Sequence, residues 1–382
     1  MVTTLSGRLL LPEGVLARGT LTLDGPLIAD VRVDEALDPR AAYDEGVTWV
    51  PGFIDLQING AYGCDFQSRP EGVAAVAAGL PSTGTTALLP TLISAPVESY
   101  APRAAAIAEA ARAMEGQPGA TVLGVHLEGP FLNPDKRGAH NPAYLHAPTA
   151  DDIAVYLASS GVRLITLAPE LPGAAALIAA ARARGIVVSA GHSAATHEQA
   201  LAAFAAGVTK VTHLFNAMPA LHHREPGLAA AALTSPHVRC GLIADGVHVH
   251  PAVVHLTYRA KGSRGIILVT DAMEGLGQPP GVYELGDRTV IVDGGSARLA
   301  SGSLAGSILP MDAAVRNMIA YTHGDCALTD AVAMASSVPA DILGLGHRLG
   351  RLRRGYTADV VGLDGGLRVA ATWTHGLLAY ER

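Results

Sequence analysis

Residues 162–216 read VRLITLAPELPGAAALIAAARARGIVVSAGHSAATHEQALAAFAAGVTKVTHLFN. Three short runs rich in β-branched and leucine side chains begin at Val162, Ile186 and Lys210, and alanine-rich sequence with helical apolar spacing fills the gaps, at Ala174 to Arg184 and His197 to Ala206. Alanine and leucine give those stretches high intrinsic helix propensity, and Gly185 and Gly207 stand as C-terminal stops. Outward from this segment, strand-like runs start near Trp49, Thr85, Thr121, Cys240 and Gly265, with helical stretches at Ala104 to Met114 and at Asp151 to Ser159, the latter stopped by Gly161. Eight strands alternating with helices over this length predict an α/β chain built on a (β/α)8 TIM barrel.

The ends of the chain have a different texture. Leu5 to Val33 is a series of short alternating segments broken by Pro12-Glu13-Gly14 and Asp24-Gly25-Pro26, as hairpins are, and Ala358 to Leu363 and Val369 to Trp373 read the same way. Residues 1–48 and 345–382 are therefore expected to join in a small β-sandwich domain beside a barrel domain at 49–344. Glu274 to Ser307 is rich in Gly and Pro around a strand-like Thr289 to Val292. A connection this long in a compact barrel is expected to be a lid or a binding element.

Composition narrows the function. The 382 residues are 49% hydrophobic and 16% charged, enough apolar surface for a large core and incompatible with a disordered chain. With 27 basic against 34 acidic side chains the net charge is -7, so no general electrostatic attraction to nucleic acid or an anionic membrane is expected, and an anionic ligand must be gripped locally. Each apolar run is interrupted before it reaches about 18 residues, so no membrane span is expected. The first residues, Met1 to Arg8, carry no basic segment followed by an apolar stretch, and the cytoplasm is the expected compartment. Cys64, Cys240 and Cys326 are too few and too scattered for a disulfide framework and read as ordinary buried thiols.

In a barrel of this kind the site forms at the C-terminal ends of the strands. Polar residues close the apolar runs there: Asp55 to Gly60, His126 to Pro130, Ser189 to Ser193, Thr212 to Asn216 and Thr270 to Met273. One Glu, two His and one Asp converge on one mouth, and neutral imidazoles with a carboxylate are a normal ligand set for zinc or a similar divalent ion. A single His or Asp at a strand end is more often structural. It is the joint occurrence at strand ends three, five, six and eight that carries the metal reading.

These segments resemble those of the N-acetylglucosamine-6-phosphate deacetylases, a branch of the amidohydrolase superfamily. The similarity runs in order through Pro51 to Asp55, His126 to Phe131, Lys136 to Asn141, Gly191 to Ser193, Thr212 to Met218, His223 to Gly227, Ile243 to His248, Thr270 to Met273 and Leu304 to Ser307. It implies a metal held by Glu128, His192 and His213, with Asp271 as catalytic acid and base and His140 near the carbonyl of the substrate. Sugar and phosphate contacts are implied for Ala139, Asn216, Ala217, Arg224, His248 and the segment Leu304, Ala305, Gly306. The implied partner is a phosphorylated amino sugar, and Arg224 is expected to reach a neighbouring subunit's site in a homodimer. Where most amidohydrolases carry His-x-His after the first strand this chain has Gln57 and Asn59, and none of its three lysines closes the fourth strand. One divalent ion per subunit is therefore expected, zinc first, with Fe, Co or Mn as ions the same donors can hold.

The implied chemistry is hydrolysis of the acetamide of N-acetyl-D-glucosamine 6-phosphate. The ion brings the pKa of a water from about 15.7 towards roughly 7. Asp271 takes the water's proton and returns it to the departing sugar nitrogen. Two competing readings share these residues. One is another amidohydrolase, either a cyclic-amide ring opener or a deacetylase of a different N-acetyl amino sugar; the missing His-x-His and bridging lysine argue against the ring openers. The other is a catalytically inactive barrel serving as a scaffold, against which the joint presence of Glu128, His192, His213 and Asp271 argues.

Overall fold

The computed structural model describes residues 2–38 and 46–382. Of the segment expected to open the small domain, residues 1 and 39–45 lie outside the described part. Eight parallel strands pair in chain order: Phe53–Ile58, Thr85–Leu92, Val125–Glu128, Val162–Leu167, Val187–Ala190, Lys210–Val211, Arg239–Leu242 and Ile266–Leu268. Each is followed by a helix on the outside, from Val73–Gly79 after the first to Met311–Tyr321 after the eighth. The expected helices are in place, at Tyr100–Ala113, Ala150–Tyr156, Ala174–Ala183 and His197–Ala206. Gly207 caps the last in a left-handed conformation, and a capping box between Thr196 and Gln199 starts it.

The ring closes just beyond the eighth strand. Asp271 N–H donates to Gln57 O at 2.8 Å and Asn59 N–H to Ala272 O at 2.7 Å, and Ile58 bridges Ala272 in parallel. Beneath these bonds the Asp55 carboxylate accepts from Thr270 Oγ1 at 2.5 Å, Thr270 N–H at 3.3 Å and Gln57 N–H at 3.1 Å. Burial pushes this carboxyl up to about 7, against the lowering effect of Thr270. One side chain thus ties the first strand to the eighth at the level where the polar strand ends begin.

Two expected strand starts are displaced. Thr48–Pro51, with Trp49, belongs to the terminal sheet, where it runs parallel to Val2–Leu10 and antiparallel to Val360–Leu363; the barrel strand begins at Phe53, after Gly52. The buried stretch from Thr48 to Ile58 serves two sheets in succession, so apolar content alone does not show where one ends. Thr121–Val122 is a short outer strand paired to the second barrel strand, and the third barrel strand starts at Val125. Gly124 separates the two, and a Cβ there would collide with Gly161 O.

Both termini form one seven-stranded mixed sheet, in the order Leu377–Glu381, Val369–Thr374, Val360–Leu363, Thr48–Pro51, Val2–Leu10, Leu16–Asp24, Leu27–Leu37. It curls on itself: Ile28 N–H donates to Tyr356 O and Gly355 N–H to Ile28 O, both at 2.8 Å, enclosing Leu5, Leu9, Leu21, Leu23, Trp49 and Val360. This mixed sheet, built from both termini around its own apolar core, is the expected small β-sandwich domain. The Glu274 to Ser307 connection carries its own antiparallel sheet, Gly281–Leu285, Arg288–Val292 and Ala297–Leu299, which packs Leu285 and Val290 with Ile93 and Met273 at the barrel mouth.

The closure yields a stability prediction. Thr270→Val keeps the shape but leaves the buried Asp55 carboxylate short of its shortest donor. Urea denaturation is expected to show a loss of about 1–3 kcal/mol; unchanged stability would show that the side chain does not contribute to closing the ring.

Candidate active site

The strand ends place Glu128, His192, His213 and Asp271 around one cavity of about 210 Å³ at the C-terminal face, lined also by Asn59, Ala139, His140, Asn216, Ala217, His248, Leu304 and Gly306. Four residues of this rim adopt left-handed backbone conformations that side chains rarely take: His192 at φ 48°, His213 at 27°, Ala217 at 50° and Asp271 at 49°. Such conformations cost about 1–3 kcal/mol each and persist only where the surroundings enforce them. Here the enforcement is visible at His192, whose carbonyl accepts from Asn133 N–H at 2.9 Å. The loop after it is held by Glu170, which accepts from Ser193 Oγ at 2.7 Å and Ala194 N–H at 2.6 Å.

Three donor atoms meet in a triangle. His192 Nε2 and His213 Nε2 each lie 3.2 Å from Glu128 Oε1 and 3.0 Å from each other. His192 Nδ1 donates to Lys136 O at 2.9 Å, which leaves its Nε2 lone pair aimed at the triangle. Two imidazole lone pairs and a carboxylate oxygen at these separations fit a divalent ion bound at their centre. Burial raises the Glu128 carboxyl, but the two imidazoles beside it outweigh this and hold it well below the usual range. A nitrogen of His140 also comes within 4.8 Å of the Glu128 and His192 donor atoms. His140 is the poorer ligand of the four, because its Nδ1 accepts from Ser94 N–H at 3.3 Å and meets Ser94 Oγ at 2.7 Å. Burial pushes the His140 imidazole down to about 3. It is neutral, with its proton on Nε2, as a hydrogen-bond donor needs to be.

The two amides that replace the usual histidines have a definite task. Gln57 Nε2 donates to both Glu128 oxygens at 3.3 Å and to Asp271 Oδ1 at 3.2 Å, and Asn59 Nδ2 donates to Asp271 Oδ1 at 2.8 Å. They orient the two buried carboxylates. Asp271 Oδ2 has no protein hydrogen bond among the described residues. Burial raises the Asp271 carboxyl and Glu128 raises it further, opposed by His213, His248 and the Asn59 bond. A carboxylate with a raised pKa and one free oxygen can accept a proton and give it back.

Two of the site residues expected from sequence lie apart from the cavity. Ala305 is buried behind the wall, packed with Met273 and Leu299, while its neighbours Leu304 and Gly306 face inward. Arg224 is exposed on the loop after the sixth strand, with Nη1 2.8 Å from His223 Nε2, and does not reach this chain's own cavity. Sequence reasoning missed Ser94, Glu170, Ile93 and Leu285. None lies in a strand-end polar motif: Ser94 and Glu170 act through partners that folding brings to them, and Ile93 and Leu285 are apolar residues of the cavity wall.

Gly191 connects backbone to site. A Cβ there would lie 2.8 Å from Thr212 Cβ and 2.9 Å from Thr166 Cγ2, and those threonines are hydrogen-bonded to each other at 2.8 Å and cannot readily part. Gly191→Ala is expected to cost about 1–3 kcal/mol by overpacking and, by displacing His192, to lower the metal retained after dialysis. An unchanged melting temperature with full metal content would contradict this placement.

Residues 48–378 match the amidohydrolase family. The chain is 42% identical over 391 residues to the N-acetylglucosamine-6-phosphate deacetylase of Bos taurus, covering 97% of this chain and 94% of that one. It is 39% identical over 375 residues to the N-acetylgalactosamine-6-phosphate deacetylase of Escherichia coli O157:H7, covering 97% of each. A solved structure of an N-acetyl-D-glucosamine-6-phosphate deacetylase mutant from Mycobacterium smegmatis, in complex with N-acetyl-D-glucosamine-6-phosphate, superposes with a TM-score of 0.90 at 34% identity over 99% of both chains. The match over most of the chain, on a barrel whose strand ends converge as described, shows that this protein belongs to the amidohydrolase family.

Proposed function

We propose that this protein hydrolyses the acetamide of N-acetyl-D-glucosamine 6-phosphate to D-glucosamine 6-phosphate and acetate. The observation that carries the reading is the Glu128–His192–His213 triangle beside Asp271 in a sugar-sized cavity, in a chain about 40% identical over nearly its whole length to deacetylases of that substrate. The three donors would hold one divalent ion, zinc in the first instance, with Fe, Co or Mn as alternatives. When bound, the ion acidifies a water and polarises the acetyl carbonyl.

The chain's own residues supply the rest. Asn59 and Gln57 fix Asp271 Oδ1, and Oδ2 takes the proton from the attacking water, then returns it to the sugar nitrogen as the C–N bond breaks. His140 donates from Nε2 to the carbonyl oxygen, where negative charge gathers in the transition state. Asn216, Ala217 and Ala139 line the sugar-facing wall, and the Leu304 to Gly306 turn closes it from the long connection after the eighth strand. His248, held by Asp245 through Nδ1 at 2.7 Å, presents its other nitrogen for the phosphate end. Arg224, exposed and outside its own cavity, serves the phosphate in a neighbouring subunit, which makes the working unit a homodimer. No helix among the described residues is long and apolar enough to cross a membrane, and three free buried cysteines suit the reducing cytoplasm.

A second reading follows from the Escherichia coli relative, which acts on the galactosamine epimer by its name. Acetate release assayed on both 6-phosphates, with and without a chelator, decides between them. Chelation is expected to abolish release, and the glucosamine epimer is expected to be the better substrate.

Asp271→Asn is expected to retain its metal while kcat falls by about 10²–10⁴. Full turnover in that variant would refute the acid and base role. Arg224→Ala is expected to raise KM about tenfold or more for the phosphorylated sugar and little for unphosphorylated N-acetylglucosamine. Light scattering is expected to find a dimer. Equal losses on both sugars, or a monomer at assay concentration, would remove Arg224 from the phosphate site.

A further inference from the structure

Below the triangle the barrel holds a cation that the reaction as described does not use. Lys210 opens the sixth strand with its side chain fully buried, and its ammonium nitrogen has no hydrogen-bond partner among the described residues. A Cβ on Gly241 of the seventh strand would lie 3.0 Å from that nitrogen. Thr212, two residues on and therefore on the same face of the strand, bonds to Thr166 and Ser189 at 2.8 and 2.6 Å. Lys210 thus belongs to the polar belt that fills the barrel.

The same interior holds three buried carboxylates, Asp55, Glu128 and Asp271, from the first, third and eighth strands. The buried imidazole on the third strand does not offset them: burial pushes His126 down to about 3, and the Thr91 and Thr166 hydroxyls sit at its nitrogens at 3.3 and 2.8 Å. The buried Cys240 thiol is pushed up to about 11 and adds no charge. Burial draws Lys210 down to about 8, with Glu128 the largest of the opposing influences. An isolated buried ammonium is costly, and so is an uncompensated buried carboxylate. The Asp55 carboxyl, pushed up to about 7 by burial, carries only part of a charge at neutral pH, which leaves Glu128 and Asp271 as the main negative charges that a divalent ion and Lys210 would face together.

We propose that Lys210 is a positioning residue that acts through the metal site: a built-in positive charge beneath the buried carboxylates that sets how tightly a divalent ion is held there. The inference rests on the metal site proposed above. A fixed positive charge beneath the ligands repels the ion, so its removal strengthens metal binding. Loss of a merely structural lysine would loosen the barrel and weaken binding.

The test compares the zinc dissociation constants of the full-length wild type, Lys210→Met and Lys210→Gln, measured by competition with a chromophoric chelator. Lys210→Met is nearly isosteric and is expected to bind zinc about tenfold or more tightly than the wild type, with Lys210→Gln shifted in the same direction. Unchanged or weaker binding in both variants would overturn the proposal, as would failure of both to fold, because a role in charge balance predicts that the isostere is tolerated. A Glu128→Gln control separates this from the reading beneath it. If the wild type takes up no stoichiometric zinc, or Glu128→Gln binds it equally well, the metal site itself has failed.

Discussion

Two imidazole nitrogens and a carboxylate oxygen are held within about 3 Å of one another in a buried place at the barrel mouth, and the rest of the site is arranged around that crowding. A divalent ion at their centre would give all three a shared positive partner. Much of the surrounding structure is explained by what it takes to hold them there. His192 and His213 leave their strands in left-handed conformations so that the rings turn inward. Gly191 carries no side chain because Thr166 and Thr212 already fill its place, and Lys136 O fixes the His192 tautomer. The strain is local, and the closed ring of strands beneath is stiff enough to bear it.

The amides at positions 57 and 59 show how one substitution changes the task of a strand end. An imidazole there offers a lone pair to a metal, whereas an amide nitrogen offers protons to a carboxylate. Gln57 donates to Glu128 and Asp271 together and Asn59 donates to Asp271, so the space that a second cation needs is taken up by hydrogen bonds. The donor set fits the single ion proposed above, and Asp271 is held by neutral groups that do not titrate.

Much of this was legible in the sequence because strand ends announce themselves: an apolar run that stops at a Glu, His or Asp places that side chain on the rim whatever the packing details. The helix stops at Gly185 and Gly207 and the long connection after Glu274 were legible for the same reason, since they follow from backbone chemistry that acts locally. The start of the first barrel strand was not. Thr48 to Ile58 is buried throughout, and only tertiary pairing tells that its first four residues join the terminal sheet. Ser94 and Glu170 were hidden too, because a serine on a loop and a glutamate after a strand carry no periodic signal, and each matters through hydrogen bonds to residues distant in sequence.

Lys210 shows the limit most clearly. At the head of a two-residue strand a lysine reads as a solvated end, and nothing adjacent in sequence says otherwise. Its inward direction follows from the two-residue period it shares with Thr212, and its room follows from the glycine at position 241 on the neighbouring strand. A charge in that position alters the balance of the whole interior, because at low effective dielectric the carboxylates on three other strands respond to it over distances that water would screen. The electrostatics of the rim is thus set partly by residues that never reach the rim, and a list of metal ligands and substrate contacts describes only the upper half of the site.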